Sequence, residues 1–89
     1  MATMSDVRAV ARETWRTDVD ATFSLDLRGK RMAAYAWPAE GAAPRPTPIS
    51  VEVAIDDLIV AGRSPRTVLA LAKERACSLI INELNNRKE

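Results

Sequence analysis

At 89 residues the chain is long enough for one domain, and folding at this size buries only about 60–65% of the extended surface. Hydrophobic residues make up 47% and charged residues 28%, a globular composition, and no apolar run approaches the ~20 residues that a bilayer-spanning helix needs. Thirteen basic and twelve acidic side chains give a net charge of +1. No global field therefore draws in a polyanion, and any nucleic-acid binding must depend on local clustering.

Taken in chain order, Ser5 followed by Asp6-Val7-Arg8 reads as an N-cap with an acidic first turn. Val7, Val10, Ala11 and Thr14 recur at helical spacing, which predicts a short helix from about Asp6 to Arg16. From Ala21 the period changes to two: Ala21, Phe23, Leu25 and Leu27 alternate with Thr22, Ser24 and Asp26, the pattern of a half-buried strand. Arg28-Gly29-Lys30 supplies a turn, and Arg31–Trp37 continues as a second strand, forming a hairpin with Arg28, Lys30 and Arg31 about its tip. Pro38 to Pro48 holds four prolines and cannot join a sheet interior, because proline lacks the ladder donor. It reads as a stiff connecting loop, with a proline-motif ligand around Pro44-Arg45-Pro46 as the other reading.

Ile49, Val51, Val53 and Ile55 alternate with Ser50, Glu52 and Ala54 as a third strand. Asp56-Asp57 then reads as a tight turn and Leu58–Ala61 as a short returning fourth strand, broken by Gly62. Ser64 as N-cap with Pro65 at the first helical position opens a long helix that runs toward Asn82–Asn86. The fold class expected is α+β in α-β-β-β-α order: a short N-terminal helix, an antiparallel sheet of three to four strands, and a long C-terminal helix packed on one face, all in a single domain.

Much chemistry is excluded at this stage. The chain has no histidine, which removes the usual general base near neutral pH and most transition-metal sites. Cys77 is the only cysteine, and with no histidine to pair with it reads as a packed or partly exposed thiol. Three glycines form no phosphate-cradling motif. No catalytic, cofactor or metal site is expected, and the chain is not expected to be an enzyme. The lone cysteine in a helix and an N-terminus without an apolar export segment point to a reduced, cytoplasmic setting. Ten arginines against three lysines, with abundant alanine, suggest a GC-rich bacterial or phage genome.

On a helical wheel Val68, Leu69, Ala72, Ala76, Leu79 and Ile80 share the expected core stripe of the last helix, whereas Ala70, Cys77 and Ile81 lie opposite and Leu71 lies apart. So apolar a back needs a cover, supplied either by the N-terminal helix or by another chain. Leu71, Cys77, Ile81 and the aromatic Trp37 are accordingly the candidate contacts for an unidentified protein partner or a second copy.

The stretch from Ile49 to Ile81 resembles the C-terminal half of double-stranded-RNA-binding domains. Ile49-Ser50-Val51-Glu52-Val53, followed by Gly62-Arg63-Ser64 leading into a long helix, carries the likeness, and the helix–three strands–helix order agrees. Pro65-Arg66 stands where that family places a lysine pair, Val68-Leu69 where a further lysine follows, and the family's loop histidine has no counterpart. The resemblance implies that Arg66, with Arg63 nearby, would meet phosphate. Two functions follow as expectations: a non-catalytic protein-interaction module acting as regulator, adaptor or inhibitor, and, as the alternative, double-stranded RNA binding through Arg28, Lys30, Arg31, Arg63 and Arg66.

Overall fold

The computed structural model describes residues 2–39 and 47–87. Its elements are α1 (Met4–Trp15), β1 (Val19–Asp26), β2 (Arg31–Pro38), β3 (Ile49–Ala54), α2 (Asp56–Val60) and α3 (Pro65–Asn86). The strands form one antiparallel sheet in the order β1-β2-β3. Both long helices pack on one face of it, giving the expected α+β domain. Most of the proline-rich connection, 40–46, lies outside the described residues, and with it the Pro44-Arg45-Pro46 reading.

Helix α1 starts earlier than the Ser5 signal suggests. Thr3 is the cap: its hydroxyl accepts from the Asp6 N–H, and the Asp6 carboxylate accepts from the Thr3 N–H at 2.9 Å, a reciprocal capping box. Its stop carries no glycine because Arg16 itself takes the left-handed conformation, φ 59°. Met4, Val7, Ala11 and Trp15 turn toward the core, with Val7 and Ala11 fully buried.

The expected fourth strand, Leu58–Ala61, is instead the short helix α2. Ile55 and Leu58, three apart, both reach the core, while Asp56 and Asp57 form an acidic first helical turn rather than a β-turn. Arg75 of α3 holds this helix in place. Its guanidinium grips both oxygens of the Asp57 carboxylate, at 2.9 and 2.6 Å, and donates to the Ala54 carbonyl at 3.2 Å. That fork holds the Asp57 carboxyl at about 2, below its ordinary 3.8. A pKa depressed in the fold adds stability that is complete above pH ~4 and vanishes as the pH falls through about 2. The thermal midpoint of the native chain should therefore fall between pH 4 and 2 more steeply than that of Asp57→Asn. Parallel melting curves would show the pair to be idle.

Ser64 caps α3 through the Thr67 N–H, with Pro65 in the first turn, as the sequence indicates. The buried row differs from the wheel reading. Val68, Ala72, Ala76, Ile80 and Leu84 are all 2% exposed or less, whereas Leu79 is 39% exposed. A row of every fourth residue drifts by about 40° per step, so a helix this long buries different faces along its length. Small residues are among the buried positions of both packed elements: Ala72 and Ala76 on α3, Ala34 and Ala36 on β2, all essentially inaccessible. They let α3 lie close over the sheet.

Candidate interaction surfaces

The apolar back of α3 is covered in part from within the chain, with Ala70 left exposed. Helix α1 packs along it, and Cys77, expected on the exposed side, is 3% exposed in the core. Burial, with the Asp6 and Glu74 carboxylates adding to it against Lys73, raises the thiol pKa. Native chain at pH 8 should therefore react slowly with thiol reagents and denatured chain at once. Rapid stoichiometric labelling of folded protein would place Cys77 at the surface. Leu71 and Ile81 are half-buried against the same core. Of the four contact candidates, Trp37 alone lies away from the helices.

Trp37 sits on the opposite, uncovered face of the sheet. Strand register puts Asp20, Thr22, Ser24 and Asp26 of β1 beside Trp37, Tyr35, Ala33 and Arg31 of β2, and Ser50, Glu52 and Ala54 of β3 complete that face. Tyr35 is 44% exposed, and its ring lies 5.5 Å from that of Trp37 in a tilted pair. Sequence reasoning passed over Tyr35, although its position two residues before Trp37 places it on the same face of any strand.

Arg75, ten residues beyond the first residue of α3, meets the sheet at the hairpin-tip end, so the start of α3 lies roughly 15 Å further along the helix. The Ile55 N–H donates to the Lys30 carbonyl at 3.1 Å, which joins the tip to α2, and Arg75 returns α3 to Ala54 and Asp57 beside it. Arg28 and Lys30 at the tip, and Arg63 and Arg66 at the start of α3, are exposed and make no ion pair with any described residue. Arg31 is set apart from them. It points onto the uncovered sheet face and pairs with Glu52 at 3.5 Å.

The two free edges of the sheet differ. The Ala39 N–H bonds to the Asp18 carbonyl and the Ile55 N–H to that of Lys30, which sets the phase of both antiparallel ladders. On β3 the residues whose backbone groups point outward are Pro48, Ser50, Glu52 and Ala54. Arg87 donates to the Thr47 and Pro48 carbonyls and Arg75 to that of Ala54, so α3 caps this edge at both ends, while no hydrogen bond from the described residues reaches the outward groups of Ser50 and Glu52 between them. On β1 the outward groups belong to Val19, Ala21, Phe23 and Leu25. No hydrogen bond from the described residues reaches those of Ala21, Phe23 or Leu25. Their side chains, on the helix face, are only half-buried.

Among the described residues no group of three His, Cys, Asp or Glu side chains could hold a metal ion, and no helix is long and apolar enough to cross a membrane. Comparison with protein-family models, with curated proteins and with solved structures finds no match for this chain.

Proposed function

We propose that this chain is a non-catalytic protein-interaction module that takes an extended segment of a protein partner onto the β1 edge of its sheet. The observation that carries this reading is the contrast between the edges: Arg75 and Arg87 hold the carbonyls at both ends of β3, so only the outward groups of Ser50 and Glu52 lie open between them, whereas β1 offers eight residues without proline, flanked by a half-covered apolar row. An unpaired edge is a template for a further strand, whose main-chain bonds supply affinity and whose alternate side chains supply specificity. The Tyr35–Trp37 pair lies one strand away on the uncovered face and offers aromatic contact to whatever the partner places there. The direct test is proline at Ala21, whose N–H points outward. Ala21→Pro should abolish partner capture while leaving the far-ultraviolet spectrum unchanged. Capture that survives it would move the interface elsewhere.

A second reading, double-stranded RNA binding, is supported by the exposed, unpaired cations Arg28 and Lys30 at the hairpin tip and Arg63 and Arg66 at the start of α3, and by the resemblance of 49–81. Arg63 and Arg66 would face phosphate at the mouth of α3, where helix dipole and side chains act together. Under this reading duplex RNA binds with an affinity that falls steeply with salt, and Arg63→Ala with Arg66→Ala removes it. No binding at low salt, or binding indifferent to salt, overturns this reading and leaves the first intact.

A further inference from the structure

We infer that the segment received by the β1 edge is a basic, alternating strand from another protein: cationic side chains on the uncovered sheet face, apolar side chains on the helix face. This rests on the edge-binding reading above and adds the chemistry of the partner.

The two faces of the edge call for different side chains. On the uncovered face β1 presents Asp20 and Asp26, both exposed, and no cation. Asp20 has no hydrogen-bond or ion-pair partner among the described residues, and Asp26 accepts only from the Gly29 N–H at 3.0 Å. An incoming strand on this edge therefore meets two carboxylates six residues apart on one face. On the helix face the edge presents the half-buried side chains of Ala21, Phe23 and Leu25. The Lys73 ammonium stands over the Phe23 ring, 5.5 Å from its centroid. That cation disfavours a basic residue on the helix side and leaves apolar side chains as the fit. Cross-strand neighbours of opposite charge stabilise a ladder and like charges destabilise it, so the pattern selects among partners more than it sets affinity.

The same charges count against a second copy of this chain. If two β1 strands pair antiparallel with both sets of helices on one side, only residues of the same face can oppose each other. The two registers of greatest overlap then set Asp26 against Asp18 or against Asp20 of the other copy.

The test uses the whole chain and two capped, fluorophore-labelled heptapeptides, RVTVTVR and EVTVTVE, titrated at low salt, with amide exchange read at Ala21, Phe23 and Leu25. The expected result is that RVTVTVR binds at least about tenfold more tightly than EVTVTVE and protects those three amides. Asp20→Lys, an exposed change that spares the fold, should weaken the first peptide and strengthen the second. Equal binding of both peptides at the β1 amides overturns the charge assignment and leaves edge binding standing. Binding of neither overturns both. Protection of the three amides that rises with protein concentration alone assigns the edge to a second copy and overturns the basic partner.

Discussion

Ile80→Ala is expected to cost about 2–5 kcal/mol of folding stability, whereas Leu79→Ala, one residue earlier, should cost less than about 1 kcal/mol. The helical wheel puts both leucine and isoleucine in the core stripe. The structure separates them: Ile80 is inaccessible within the core, and Leu79 is 39% exposed. Removing three buried carbons from Ile80 loses their transfer energy and leaves a cavity that close neighbours such as Ala76 cannot fill. A domain of 89 residues has only roughly 4–13 kcal/mol in all, so this one change takes a large share of it. Urea unfolding of the two variants measures the difference directly. Equal losses would mean that α3 is rotated from the position described.

A second pair of neighbouring substitutions should diverge as sharply. Thr22 lies opposite Tyr35 in a hydrogen-bonded pair of the ladder, so its N–H points inward to β2; that of Ala21 points out to solvent. Proline at Thr22 removes an internal ladder bond and forces its ring against the neighbouring strand, at a cost of ~3 kcal/mol, similar to that inside a helix. Proline at Ala21 removes only an outward donor, and the preceding Asp20 is already extended, as the residue before a proline must be. Ala21→Pro is thus expected to melt within a few degrees of the native chain, with Thr22→Pro lower by roughly 12–24 °C. The reverse order would invert the ladder phase and close the β1 edge.

Much of the architecture was legible in the residues. Period-two alternation in 21–27 and 49–55 located two strands, and Ser64-Pro65 located the start of α3. These signals are local, so they survive without knowledge of the neighbours. Leu58–Ala61 misled because a single turn of helix and a short strand both need only one or two buried residues; Arg75, eighteen residues on from Asp57, decides between them. The cover over Cys77 is more distant still in sequence, since it comes from α1, more than sixty residues earlier. As for surfaces, the sequence singles out Trp37 by its chemistry and the basic side chains by their charge, but not the β1 edge. Which strand lies at an edge, and which amides point outward from it, depends on pairing partners and ladder phase. Neither is written in the strand's own residues. The arginines that cap the ends of β3 read in the sequence only as charges, Arg75 in the middle of the helix and Arg87 at its C-terminus.

Hydrogen exchange of the free chain, followed amide by amide in dilute solution, tests the open edge most directly. In β1, exchange should alternate: Ala21, Phe23 and Leu25 fast, Thr22 and Ser24 slow, with the slow set close to the rate of global unfolding. Uniform protection along β1 in dilute monomer would contradict it, because the edge would then already be covered and would have no place for a partner strand.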